Sequence, residues 1–153
     1  MKSFISKVIL LLFAFQPLLA QKSPNIPVFY LKDSNSNFNI DSLEEKSDKF
    51  KVFENIRLSY GHENKPHWLK ISISNNDTIS QKKLLEVDYA FLEEVNLFIV
   101  QNGKEIFKSD TIGWKYPYEN RVFKHYNPVF PITIAAKNSQ TIYLRIFRRY
   151  ISL

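Results

Sequence analysis

The middle of the chain alternates between two sets of side chains at a period of two, which is typical of β-strands. Between residues 84 and 103 this alternation places Val95, Leu97 and Ile99 on one face and Asn96, Phe98 and Val100 on the other. Asn102 and Gly103 follow, and an Asn-Gly pair favours a type I′ turn because both central positions need a positive φ. We therefore predict that residues 84–103 form two strands joined by a tight corner, and that residues 104–107 return as a hairpin partner.

Other short apolar segments, separated by polar turns, predict further strands along the chain. They lie at residues 28–31, 50–53, 56–60, 67–74, 121–125, 129–134 and 141–147. Pro24 and Pro27 restrict the first of them to an edge position. Short strands without βαβ alternation indicate a sandwich or barrel, and about nine or ten of them are expected here. The predicted fold class is all-β, in one domain.

Two of these strands are predicted to face the same core. Leu69, Ile71 and Ile73 share a face of the strand at residues 67–74, and we expect them to lie between two packed sheets with Val95, Leu97 and Ile99. Trp68 falls on the opposite face of its strand. We assign it to the core as well, because large aromatic side chains within clean strands are usually buried.

One short helix is predicted to begin near Ile40. Asp41 can cap it, Glu44 lies three residues further as a capping-box partner, and Ile40 can staple the entry. A second interpretation is an EF-hand-like calcium loop, with Asp33, Asn35, Asn37, Ile40 and Glu44 at positions 1, 3, 5, 8 and 12. Phe38 occupies the position that needs glycine for a sharp turn, so a polar Asx-rich turn is favoured over a metal site.

The first twenty residues have the pattern of a signal peptide. Lys2 and Lys7 give a basic region ahead of an eight-residue apolar core at residues 8–15, and Ala20 ends the short segment that precedes the expected cleavage site. Eight apolar residues are too few to cross a bilayer, which needs about 20. We predict cleavage after Ala20 and export of residues 21–153 to the periplasm or the cell exterior.

Cysteine and charge limit the remaining possibilities. The chain has no cysteine, so we expect neither disulfides nor a lipid anchor, and the exported domain must bury a substantial apolar core. Removal of residues 1–20 takes away Lys2 and Lys7 and no acidic residue, so the net charge falls from +6 to +4. The basic residues are scattered and form no stripe, and nucleic acid is therefore not expected as a partner.

The residue types that catalysis or a cofactor would need are poorly placed. The three histidines, His62, His67 and His125, are not spaced i, i+4 from one another, and the chain has no Gly-x-Ser-x-Gly motif. Glu93 and Glu94 are adjacent and would point to opposite faces of a strand, so they cannot share a cleft. We expect no catalytic residues, no metal site and no cofactor.

The most promising candidate for a ligand site is an irregular segment at residues 114–125, which we call the aromatic loop. Three of its side chains, Trp114, Tyr116 and Tyr118, can offer stacking faces to a sugar or another small ring. Arg121 and His125 can orient a polar or anionic group. The alternatives are that the aromatic side chains are core residues, and that Arg121 pairs with an acid such as Glu119 or braces the loop.

Several blocks of the sequence resemble a known family, the extracellular region 2 of the bacterial 7TM receptors with diverse intracellular signalling modules. The similar blocks are residues 60–61, 67–71, 84–89, 92–98, 112–113, 116–118, 121, 130–132 and 143–146. The resemblance implies a jelly-roll-like sandwich, similar to carbohydrate-binding modules, held outside the membrane ahead of seven helices and a signalling output. The chain departs from the family in ending at Leu153, before a last strand and the membrane region, and in having Trp114-Lys115 where a polar pair is usual.

Two functions of different class follow from the resemblance. The first is a ligand-sensing ectodomain that binds a carbohydrate or another small molecule and acts on the membrane helices of the same receptor. The second is a free-standing secreted module for carbohydrate binding or adhesion. The sequence that follows residue 153 would distinguish them.

Overall fold

The structure is a computed structural model that describes residues 26–53 and 64–148. The predicted signal peptide and the predicted strand at residues 56–60 lie outside these ranges. Within them, no helix is both long enough and apolar enough to span a membrane.

The described chain forms two antiparallel sheets and one short helix, which confirms the all-β sandwich. The elements in order are β1 (Val28–Lys32), α1 (Ile40–Glu45), a 3-10 turn (Ser47–Lys49), β2 (Lys51–Val52), β3 (His67–Asn75), β4 (Gln81–Glu86), β5 (Glu94–Gln101), β6 (Lys104–Lys108), a second 3-10 turn (Tyr118–Asn120), β7 (Val129–Ile134) and β8 (Asn138–Phe147). Six strands form one sheet in the order β2-β1-β3-β8-β5-β6, and β4 pairs with β7 in the other.

The hairpin of β5 and β6 forms at the Asn-Gly pair, as the pattern predicted. Asn102 has φ 52° and Gly103 has φ 72°, the two positive values that this turn requires. Lys104 pairs with Gln101 directly after the turn. The register shifts between Ile99 and Val100, so the hairpin contains one irregularity before the strands continue.

The predicted corner before β5 moves the chain from one sheet to the other. β4 pairs with β7, whereas β5 pairs with β6 and β8, so the two strands on either side of the corner do not pair with each other. Val87 and Leu92 are buried at the two ends of this connection. The corner therefore closes one end of the space between the sheets.

The main core lies between the two sheets and contains the side chains expected there. Val95, Leu97 and Leu69 are buried, and Ile71 and Ile73 are partly buried against the same cluster. β7 supplies Phe130, Ile132 and Ile134 from the opposite sheet, and β8 supplies Ile142, Leu144 and Ile146. Each fully buried side chain of this kind stabilises the fold by about 1.5–3 kcal/mol.

A second core lies on the other side of the six-stranded sheet, the face covered by α1, which we call the helix-side face. Trp68, Phe98, Val100 and Tyr143 are buried there under Ile40, Leu43 and Phe50. The six inner residues of β5 are buried on both faces. This explains why residues 95–100 are almost continuously apolar despite their strand geometry.

The cap of α1 differs from the prediction. Asn39 is the N-cap: its side chain accepts a hydrogen bond from the Ser42 backbone N–H at 2.9 Å, and the Ser42 hydroxyl accepts one from the Asn39 N–H at 2.9 Å. Asp41 already lies in the first turn, because the helix begins at Ile40. Glu44 is not the capping-box partner, since its carboxylate instead accepts a hydrogen bond from the Tyr143 hydroxyl at 2.6 Å.

Three strand predictions also need correction. β1 is not an edge strand, because it pairs with β3 on one side and β2 on the other. Pro27 directly precedes it and so removes no ladder hydrogen bond. Residues 121–125 are irregular, with a bend at Val122 and Phe123, and form no strand. β8 begins earlier than expected, at Asn138.

The Asx-rich segment before α1 is a polar turn. The Asp33 carboxylate accepts hydrogen bonds from the backbone N–H groups of Asn37 and Phe38 at 3.1 and 3.0 Å. It also lies 3.5 Å from the Trp68 indole nitrogen and is only 1% exposed. The described residues contain no group of three or more His, Asp or Glu side chains placed to hold a metal ion.

Candidate functional site

The aromatic loop begins at a close contact between two backbone segments. Gly113 has φ 154°, and a Cβ atom there would lie 2.0 Å from the Glu93 carbonyl oxygen, so only glycine fits. The next residue, Trp114, donates its backbone N–H to the Leu92 carbonyl at 2.9 Å. The ammonium nitrogen of Lys115 lies 3.8 Å from a carboxylate oxygen of Glu94. These contacts fix the first residues of the loop against the start of β5.

The predicted aromatic residues are mostly at the surface. Trp114 is 54% exposed and Tyr118 is 45% exposed, while Tyr116 is half-buried. The alternative that these side chains fill the core therefore does not apply to Trp114 or Tyr118. Both rings have a face that another molecule could reach.

Arg121 is buried and held by the loop itself. One terminal nitrogen donates to the carbonyl oxygens of His125 and Tyr126, at 2.7 and 2.8 Å. The guanidinium carbon lies 5.2 Å from the centre of the Tyr118 ring, within the range of a cation–π contact. Arg121 is 8% exposed, and its Nε atom is buried without a hydrogen-bond partner. Of the two alternatives for Arg121, the structure matches the loop brace and not a pair with Glu119.

His125 lies at the far end of the loop, near β4. Its side chain is exposed, and Nδ1 is 3.8 Å from a Glu86 oxygen and 3.2 Å from the Asn127 backbone nitrogen. The Asn127 side chain donates to Glu86 and Asp88 at 2.7 and 3.1 Å. The structure thus joins Tyr118, Arg121 and His125 through direct contacts, whereas Trp114 is anchored separately beside β5.

A small cavity lies beneath the loop, between β6 and β7. Asn120 and Val122 of the loop line it together with Phe107, Ile112 and Phe130. Its volume is about 180 Å³, which is below the 300–1,000 Å³ range of typical ligand pockets. None of the five predicted site residues lines it.

A larger groove, which we call the helix-side groove, lies where α1 meets β5 and β6. Its volume is about 380 Å³, and its walls include Phe38 and Ile40 on one side and Glu105 and Lys108 on the other. The strand register brings residues of this groove together: Trp68 is opposite Arg145, and Arg145 is opposite Asn96. In the next row Phe98 is opposite Lys108.

The sequence analysis did not predict this groove, although it placed three of the groove residues on the correct faces of their strands. The period of two places Asn96 and Phe98 on the strand face opposite Val95, and Trp68 on the face opposite Leu69. These two faces, which point away from the core between the sheets, both contain a large aromatic side chain. That pattern indicates a second packed surface and could have been used to predict one. β8 pairs with both β3 and β5, and this pairing brings Trp68 close to Asn96 and Phe98. The sequence period of a single strand does not show which strands are neighbours.

A third cavity, of about 250 Å³, continues along the helix-side face beyond Tyr143. Its lining is rich in hydroxyl groups, from Ser72, Ser74, Ser139 and Thr141, and Glu44 stands at its border. Burial raises the pKa of the Tyr143 hydroxyl, and its hydrogen bond to Glu44 raises that pKa further. Tyr143 therefore remains a protonated donor, and its bond to Glu44 attaches α1 to the sheet.

Comparison with known proteins identified a family for this chain. Residues 27–151 match the family model described as 7TMR-DISM extracellular 2. A comparison with curated proteins found no match to the sequence.

Proposed function

The chain belongs to the 7TMR-DISM extracellular 2 family, and we propose that it binds a carbohydrate or another small molecule as the ligand of a membrane receptor. The family consists of extracellular sensor regions of membrane receptors, so the domain lies outside the cytoplasm. The proposed partners are the ligand and the membrane helices of the same receptor. We propose a binding role and not a catalytic one.

The aromatic loop is the proposed contact surface. The observation that supports it is the exposure of the Trp114 and Tyr118 rings, at 54% and 45%. Flat apolar rings beside hydrogen-bonding groups suit the faces and edges of sugars and similar molecules. Tyr116 and His125 would contribute polar atoms at the edges of this surface.

Arg121 has a positioning role in this proposal. Its bonds to the carbonyl oxygens of His125 and Tyr126 close the loop, and its contact with the Tyr118 ring orients that side chain. A loop held in one conformation before binding loses less conformational entropy when a ligand arrives.

The test is calorimetric titration of the protein with a panel of sugars and small metabolites, repeated on Trp114→Ala and Tyr118→Ala variants. Each substitution should weaken binding of an identified ligand by about tenfold, which is about 1.4 kcal/mol. Tyr126→Ala is the control, since Tyr126 is also an exposed aromatic residue, at 68%, but lies just beyond the loop. Unchanged affinity in both loop variants would contradict this site.

A further inference from the structure

We infer that the helix-side groove is a separate binding site for one uncharged, polyhydroxylated ring. The groove is the largest of the three cavities described, and its volume of about 380 Å³ lies within the range of small-molecule sites. It shares none of its lining residues with the aromatic loop. The inference therefore does not depend on the loop being the site of the proposed sensing function.

The floor of the groove is apolar and rigid. The rings of Trp68 and Phe98 are 5.4 Å apart at 43°, and both side chains belong to the second core. Phe98 is 8% exposed, so a small part of it reaches the groove. Because Trp68 and Phe98 come from central strands of the six-stranded sheet, their positions do not depend on a loop. The accessible part of Phe98 therefore offers a small, fixed apolar contact to one face of a ring.

The rim of the groove contains both hydrogen-bond donors and acceptors. The Lys108 ammonium lies 5.5 Å from the centre of the Phe98 ring, and Arg145 contributes a guanidinium whose charge is balanced by Glu94 at 3.4 Å. Glu105 adds a carboxylate from the same strand as Lys108. The Asn96 amide, 6% exposed, is held by its bond to the Thr111 hydroxyl at 2.7 Å.

This mixture determines the class of ligand. Hydroxyl groups both donate and accept, so a ring bearing several of them can bond to Lys108 and Glu105 together. A carboxylate or phosphate could bond to Lys108, but it would be repelled by Glu105 on the same rim, and the charge of Arg145 is already balanced by Glu94. The groove therefore selects a neutral ring over an acidic one of the same size.

The two tryptophans of the chain provide separate reporters for the two surfaces. Trp68 lines the groove and Trp114 stands on the loop, and the sequence contains no other tryptophan. In ¹⁵N-labelled protein each indole N–H gives one NMR signal, and a Trp114→Phe variant assigns them. We expect the methyl glycosides of glucose, galactose or mannose to shift the Trp68 signal, and glucuronate to bind more weakly.

A pair of variants on β6 tests the rim without disturbing the core. Glu105→Ala removes an exposed groove carboxylate and should weaken binding of the neutral glycoside about tenfold. Lys104→Ala is the matched control, because Lys104 is exposed on the same strand but does not line the groove. Affinity should be unchanged in this control.

Each other outcome overturns the inference in a recognisable way. A shift of the Trp114 signal alone would place binding on the loop and leave the proposed function intact. Binding of glucuronate that is tighter than that of every neutral glycoside would refute the ligand class. A Trp68 signal unmoved by the whole panel, or an equal loss in Glu105→Ala and Lys104→Ala, would refute the groove as the site.

Discussion

The aromatic loop and the helix-side groove both combine flat rings with polar groups, but different parts of the chain position them. In the loop, Tyr118, Arg121 and His125 lie within eight residues of one another and are connected by local contacts. In the groove, Trp68, Phe98 and Arg145 come from three strands that are distant in sequence and adjacent in the sheet. The far half of the loop is therefore held by local contacts around one buried arginine, whereas the shape of the groove depends on the whole sheet.

The largest expected effect concerns the sheet beneath the groove. Leu97 is fully buried between the two sheets, and Leu97→Ala should lower the free energy of unfolding by about 2–5 kcal/mol because it leaves a cavity in a packed core. Chemical denaturation followed by circular dichroism measures this. Lys104→Ala, on the exposed strand β6, should change stability by less than about 0.5 kcal/mol. Similar small shifts in both variants would contradict the strand assignment.

The success of that strand assignment has a local cause. A period of two and an Asn-Gly pair are local signals, and they predicted β5, its hairpin and the inward face of Leu69 and Leu97 correctly. The sheet to which a strand belongs is a non-local property. The pattern could therefore not show that β4 and β5 separate into different sheets, or that Trp68 and Phe98 meet.

Side-chain competition accounts for the error at the α1 cap, and it also hides the contacts of Arg121 from sequence reasoning. Asn39 and Asp41 can both cap a helix, and only the tertiary contact of Glu44 with Tyr143, 99 residues apart, shows that Glu44 is engaged elsewhere. In the loop, the sequence suggested Arg121 as a ligand contact and offered a brace as the alternative. The backbone carbonyl groups that bind Arg121 have no signature in the sequence.

The next effect tests the role of Arg121 as a brace of the aromatic loop. Arg121→Lys keeps the charge but loses the planar group that reaches two carbonyl oxygens, and hydrogen bonds to charged groups contribute about 1.5–3 kcal/mol. We expect lower stability and faster amide hydrogen exchange at residues 118–126, with little change in affinity for a groove ligand. Lys124→Arg is the control, because Lys124 is exposed and also contacts Tyr118. Unchanged exchange in Arg121→Lys would contradict the bracing role.

A smaller effect, dependent on pH, tests the attachment of α1 to the sheet. The folded-state pKa of Tyr143 is raised above the value of about 10 expected in the unfolded chain. Above about pH 10 the unfolded chain loses a proton that the folded chain keeps, so the stability due to Tyr143 is complete below that pH and falls as the pH rises. Tyr143→Phe should be less stable than the parent protein near neutral pH by about 1 kcal/mol.

The measurement is urea unfolding at about pH 8 and about pH 11. The difference between the parent and Tyr143→Phe should shrink at the higher pH, because the variant lacks the group that titrates. Tyr126→Phe serves as the control, since Tyr126 is 68% exposed and should show the same pH dependence as the parent. A difference that is constant with pH would show that Glu44 and Tyr143 do not attach α1 to the sheet in this way.

The smallest expected effect distinguishes the two tryptophans. Trp114 is 54% exposed and Trp68 is 1% exposed, so Trp114→Phe should change the free energy of unfolding by less than about 0.5 kcal/mol, whereas Trp68→Phe should cost clearly more. Fluorescence of the folded Trp114→Phe variant should be blue-shifted from that of the parent, because only the buried indole remains. If Trp114→Phe instead destabilises the protein and leaves the emission wavelength unchanged, Trp114 is packed like a core residue. The loop would then have no exposed ring at that position for a ligand to stack on.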